Sequence, residues 1–170
     1  MQRLLIIGCP GAGKSTLSRQ LAAMLRLEAI HLDSLYWRPG WIEASHDQWT
    51  QDIAQALHRK SWIIDGNYLK TLPPRLAAAD TVIFLDLPRR VCLLRIVRRW
   101  LRYRGTTRPD MPAGCPEKLD WEFIKGVWDF PADQRPVILE HLRQVAPGKR
   151  VITLCSHDEV DRFVRDLGAV

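Results

Sequence analysis

Residues Gly8 to Thr16 read Gly-Cys-Pro-Gly-Ala-Gly-Lys-Ser-Thr, a G-x-x-x-x-G-K-[ST] spacing. Glycines at the first, fourth and sixth positions let the backbone curl until successive N–H groups point inward at phosphate oxygens. Lys14 supplies a cation for the β and γ phosphates. The Ser15 hydroxyl suits Mg²⁺, a hard ion that keeps most of its waters and takes few protein oxygens. This is the chemistry of a nucleoside triphosphate site, so ATP and Mg²⁺ are the expected ligands, with Gly8, Cys9, Pro10, Gly11, Ala12, Gly13, Lys14, Ser15 and Thr16 as the candidate cradle.

Such a site needs a further carboxylate at the end of a neighbouring strand to orient the metal's waters. Asp65 ends the apolar run Trp62-Ile63-Ile64 and precedes Gly66; Asp86 ends Val82-Ile83-Phe84-Leu85 and precedes Leu87-Pro88. Asp65 is the preferred partner of Ser15 at the metal, because Asp86 also reads as a turn residue ahead of a helix. Asp33 is a third carboxylate at the same edge, placed to hold an acceptor hydroxyl or receive its proton.

The elements that must position these residues are legible as alternating patterns. Five short apolar runs, Arg3 to Ile7, Glu28 to Leu32, Trp62 to Asp65, Thr81 to Asp86 and Arg150 to Leu154, read as strands. Several lack polar alternation, as parallel strands covered on both faces do. Helical periods lie between them: Leu17, Leu21 and Met24; Trp49, Ile53, Ala56 and Leu57; Leu72, Leu76 and Ala77; and finally Val160, Phe163, Val164 and Leu167. The glycine loop thus joins a strand to an amphipathic helix whose N-terminal dipole favours an anion. Alternating strands and helices predict an α/β fold with helices on both faces of a parallel sheet. Gly105 to Pro116, rich in Gly and Pro, reads as a loop.

At 170 residues and 46% hydrophobic the chain supports one core, so residues 1–170 are expected to form a single domain. The apolar runs are far shorter than the ~20 residues of a bilayer span, and Leu4 to Ile7 is too short for a signal-peptide core. A cytoplasmic location is expected. Cys9, Cys92, Cys115 and Cys155 are widely spaced, which predicts free thiols and no structural metal. The formal charge of +6 is local: eight arginines and no acid lie between Arg89 and Arg108, and the remainder holds 17 basic against 19 acidic residues.

On these residues the chain resembles the adenylate-kinase-like P-loop kinases. The phosphate loop is joined by Trp62-Ile63-Ile64-Asp65-Gly66 and by Leu85-Asp86-Leu87-Pro88 ahead of a helix carrying Arg95 and Arg99. Within that superfamily it is most similar to the topology modulation protein group, related to FlaR, through His31-Leu32-Asp33, Asp65-Gly66-Asn67-Tyr68, Arg108-Pro109-Asp110-Met111 and Gly114-Cys115-Pro116-Glu117-Lys118. The resemblance implies a three-layer P-loop NTPase fold with a five-stranded sheet in the order 2-3-1-4-5, an acceptor-side insert near residues 33–60 and an arginine-rich lid near 95–130. It also implies that Arg95 and Arg99 sit at the lid hinge against the nucleotide. Lys14, Asp33, Arg95 and Arg99 are then the candidate catalytic residues of an ATP-dependent phosphotransferase. Two departures bear on its acceptor. Tyr36 and Leu69 stand where adenylate kinases carry phosphate-binding arginines, and neither replaces a guanidinium fork. AMP is therefore a poor candidate, and an acceptor hydroxyl fits Asp33 better.

Helix periodicity over Arg89 to Tyr103 places Leu93, Leu94, Ile96, Val97, Trp100 and Leu101 on one arc and Arg95, Arg98, Arg99 and Arg102 on the opposite one. Like charges at i, i+3, i+4 and i+7 repel and call for an anion. Triphosphate under a lid is the preferred one; nucleic acid bound through Arg89 to Arg108 is the rival, and would make the chain a nucleotide-dependent DNA-binding protein. Trp49, Trp62 and Trp100 are expected in the core. Trp37 and Trp41 flank a loop on the Asp33 side, where they could stack on a small-molecule acceptor.

Overall fold

The computed structural model of the protein describes residues 1–145 and 147–168. In chain order its elements are β1 (Arg3–Gly8), α1 (Lys14–Leu25), β2 (Ala29–His31), α2 (Leu32–Tyr36), β3 (Trp37–Arg38), β4 (Ile42–Glu43), α3 (His46–His58), β5 (Trp62–Asp65), α4 (Leu72–Ala78), β6 (Thr81–Leu85), α5 (Arg89–Tyr103), α6 (Trp121–Arg143), β7 (Arg150–Leu154) and α7 (His157–Gly168). Five strands form one parallel sheet in the order β2-β5-β1-β6-β7. The expected numbering shifts because a small antiparallel hairpin, β3-β4, stands apart from the sheet. Without it the sheet strands fall in the order second, third, first, fourth, fifth.

The central strands explain their own sequences. Leu4, Leu5, Ile6 and Ile7 of β1 are wholly buried, as are Ile63 and Ile64 of β5 and Val82, Ile83 and Phe84 of β6, because helices cover both faces. Edge strand β7 is largely exposed. Strand β1 lies where the order reverses, and the chain leaving its C-terminal end opens the crevice in which such sheets bind ligands. Gly8 pairs with Leu85 there, and a Cβ at Gly8 would stand 2.4 Å from the Leu85 carbonyl oxygen. The position excludes any side chain.

Helix starts follow their capping residues: Ser45 Oγ accepts from the Gln48 amide at 3.3 Å, and Asp120 Oδ1 accepts from the Glu122 amide at 2.8 Å. Helix α6 runs 23 residues, through Pro131 and Pro136, and the helical period of Phe123, Ile124 and Val127 marks only its first half. Packing of Val127, Phe130 and Ile138 into the core holds it together across both prolines.

On α5 the expectation for Trp100 is corrected, and much of the apolar arc is exposed. Only Cys92 and Ile96 of this helix are buried; Leu94, Val97 and Leu101 of the apolar arc are 50%, 38% and 54% exposed. Trp100 is half-buried rather than a core residue, whereas Trp49 and Trp62 are buried as expected. Periodicity identifies an apolar arc, but the helix buries only its Cys92–Ile96 edge, against the glycine loop at Gly11. No helix among the described residues is long and apolar enough to cross a membrane.

Candidate active site

The phosphate loop folds over the C-terminal end of β1. Gly11 and Gly13 take φ of +83° and +102°, and a Cβ on Gly11 would meet the Cys92 carbonyl oxygen at 2.5 Å, so the loop lies directly on the start of α5. Lys14 curls back under it, Nζ donating to the Gly8 and Cys9 carbonyls at 2.9 and 3.2 Å. Burial lowers the Lys14 pKa, while the Asp33 and Asp65 carboxylates oppose that shift. Pro10 through Leu17 wall a cleft of about 1100 Å³. Gly8 and Cys9 lie beneath it, both buried, and support the cradle without lining it.

Asp65 ends β5 between Ile6 of β1 and His31 of β2. Ser15 Oγ donates to Asp65 Oδ1 at 3.3 Å, and His31 Nδ1 holds the other carboxylate oxygen at 2.6 Å. Burial works against a charged His31, but its hydrogen bond and charge attraction to Asp65 win and raise its pKa. A hydroxyl and a carboxylate side by side are the hard oxygen donors that Mg²⁺ takes. Asp86 is engaged elsewhere: Arg135 grips it with two bonds of 2.8 Å from Nε and Nη2.

Asp33, in the first turn of α2, faces the same cleft and accepts from the Tyr68 hydroxyl at 2.7 Å. Burial and the neighbouring carboxylate push the Tyr68 hydroxyl up, so it stays a donor. Tyr68 adopts φ of +35°, and a residue absent from the sequence-based candidates holds it there. Arg75, fully buried in α4, donates to the carbonyls of Gly66 at 2.8 Å, Tyr68 at 2.9 Å and Thr71 at 3.0 Å, and also to Asn67. Asn67 Oδ1 in turn accepts from the Gly8 amide at 3.0 Å, tying this loop to the phosphate loop. An arginine inside the otherwise apolar Leu72-Pro73-Pro74-Arg75-Leu76 was the available signal.

The arginines divide. Arg95 Nη1 donates to the Ala12 carbonyl at 2.9 Å and so lies on the phosphate loop. Arg99 lines the cleft, but Nε bonds Glu117 Oε1 at 2.8 Å. Burial and the Arg108 charge lower its pKa, against the pull of Glu117. Arg108 completes the group, with Glu117 at 2.6 Å and Asp110 at 3.1 Å. Arg89 lies 3.9 Å over the Trp128 ring. Repulsion along α5 is therefore relieved within the chain at Arg99, by Glu117, while Arg95, Arg98 and Arg102 have no acidic partner among the described residues. Arg98 and Arg102 remain exposed along the cleft.

Trp37 and Trp41 belong to the β3-β4 hairpin and its turn, not to an open loop, with ring centroids 5.4 Å apart and nearly perpendicular. The turn meets the 105–116 loop: Gly40 N–H donates to the Gly114 carbonyl at 2.8 Å, Trp41 Nε1 to the Pro116 carbonyl at 3.1 Å and Cys115 Sγ to the Arg38 carbonyl at 3.1 Å. The two segments roof the cleft together. Arg38 turns away to Asp52 at 3.3 Å.

No protein-family model matches the sequence, and no curated protein matches it. Solved structures do resemble the fold. A shikimate kinase from Acinetobacter baumannii, in complex with shikimate, is 18% identical with a TM-score of 0.63, over 98% of this chain and 90% of that one. A shikimate kinase from Bacteroides thetaiotaomicron is 14% identical at 0.59, over 99% and 96%. A gluconokinase from Sinorhizobium meliloti 1021 is 15% identical at 0.52, over 99% and 90%. At these identities the likeness is one of architecture, and the chain is built on the three-layer α/β fold that these P-loop kinases share.

Proposed function

We propose that the protein is an ATP-dependent kinase that phosphorylates a hydroxyl of a small molecule. The observation that carries this reading is the convergence of Lys14, Ser15 and Asp65 with the Asp33–Tyr68 pair in one cleft. Lys14 and Arg95 would stabilise charge on the transferring phosphoryl group, and Arg99 would join them on exchanging Glu117 for phosphate. Ser15 and Asp65 would hold Mg²⁺, which would neutralise charge on the triphosphate. Asp33, oriented by Tyr68, would take the acceptor's proton. Residues 33–60 would serve the acceptor, and 95–130 would form the lid. The neighbours named for shikimate and gluconate, both polyhydroxy acids, make a hydroxyl acceptor the natural expectation.

The test is acceptor-dependent ADP release from MgATP, with Lys14→Ala as the inactive control. An acceptor screen with no stimulation anywhere would sink the proposal. DNA binding through α5, which the likeness to the topology modulation group suggested, gains nothing from the ion-paired Arg99. Charge reversal at Arg98 and Arg102 with no change in salt-dependent DNA affinity would dispose of it.

A further inference from the structure

If the acceptor's hydroxyl lies beside Asp33, the rest of the acceptor must extend away from the phosphate loop. A second cavity of about 520 Å³ adjoins the main cleft, and Tyr68 and Gln134 line both. Its walls are aromatic: the Tyr68 ring lies 4.9 Å from that of Tyr36 and 4.8 Å from that of Trp49, tilted 52° and 48°. Exposed Glu43, His46 and Lys70 stand around it, offering both donors and acceptors.

No guanidinium among the described residues lines this cavity. Arg38 is committed to Asp52, and Arg75 is enclosed by four backbone carbonyls. An acceptor anchored by a phosphate or carboxylate needs a fork of N–H donors, and one exposed ammonium at Lys70 is a weak substitute. Ring walls with mixed donors and acceptors suit instead a flat heterocycle, whose faces are apolar and whose edges carry hydrogen-bonding groups.

Resting on the kinase reading, we infer that this cavity is the distal half of the acceptor site and takes the uncharged heteroaromatic ring of a nucleoside-like alcohol. In the transfer the acceptor oxygen bonds to the γ-phosphorus as the bond from that phosphorus to the β–γ bridging oxygen breaks. ADP leaves with the electron pair, and the hydroxyl proton passes to Asp33 and then to water.

The experiment measures ADP release by the full chain with MgATP and thymidine, cytidine, adenosine or guanosine, against gluconate, shikimate and AMP, with ATP affinity measured separately by calorimetry. At least one nucleoside should raise ADP release about tenfold over the acceptor-free rate. Glu43→Ala and Lys70→Ala, both at exposed positions, should raise the nucleoside KM by about tenfold while the Kd for ATP holds. Stimulation by gluconate, shikimate or AMP with none by nucleosides overturns the assignment and leaves the kinase reading standing. Intact ATP binding with no stimulation by any nucleoside overturns the assignment as well. Failure to bind ATP overturns the kinase reading itself, and the assignment with it.

Discussion

One side of the cleft comes from consecutive residues of the glycine loop, Pro10 to Leu17, whereas the opposite side, proposed to take the acceptor, is gathered from separate stretches around Asp33, Trp41, Tyr68 and Glu117. The first is shaped by backbone conformation, with glycines at positive φ. The second is shaped by side chains meeting over long sequence separations: Asp33 with Tyr68 across 35 residues and Trp41 with Pro116 across 75. A local loop is a general device for holding triphosphate. An assembled wall can be altered at many points, which is where acceptor choice can diverge within one fold.

That contrast can be broken most forcefully at Lys14. Lys14→Ala should reduce kcat/KM for ADP release on the order of 10³-fold while circular dichroism stays native, because it removes charge stabilisation and no core packing. Arg75→Leu should next lower stability by about 3 kcal/mol in urea unfolding, since four carbonyls lose a buried donor. It should weaken acceptor binding more than ATP binding; equal losses would mean the clamp serves both halves alike. Asp33→Asn should lower kcat by about 10²-fold with ATP affinity unchanged, the size of a lost general base. An unchanged kcat would show that Asp33 only shapes the wall.

Smaller effects probe the roof. A Cβ on Gly114 would lie 3.0 Å from Pro39 Cβ, and Gly114 has φ of +83°, so Gly114→Val should cost about 1 kcal/mol and raise the acceptor KM without touching ATP affinity. The last prediction concerns pH. Burial favours a protonated Asp110, but the Arg108 cation outweighs it and holds the carboxyl below its ordinary range. A depressed carboxyl adds stability above its unfolded pKa of about 3.9 and loses it as pH falls through the folded value. Tryptophan fluorescence from the Trp41 roof should therefore hold steady from pH 8 to 5 and change only below about pH 4. A transition near neutrality would place control of the lid in another group.

Much of the scaffold was readable in the chain. Unbroken apolar runs marked β1, β5 and β6, because strands covered on both faces have no polar side to alternate. The hairpin escaped because its strands are two residues each and carry no periodicity. The second half of α6 escaped because Pro131 and Pro136 read as breaks, while tertiary packing carries the helix through them. On α5 the apolar arc was visible, but its partial exposure was not, since periodicity ranks faces by composition and cannot tell how far a helix is turned toward the sheet. Glu117, which answers Arg99, sits 18 residues further on beyond a loop, out of reach of any helical spacing rule.

By itself the sequence determined the alternating sheet, the phosphate loop and the carboxylates at the strand ends, because each depends on the backbone geometry and hydrophobicity of neighbouring residues. Only the tertiary structure decided which arginines are free, which loop Arg75 clamps and where the aromatic cavity opens. Those features depend on the path of the chain through space, which brings together groups whose separation in sequence carries no local signal.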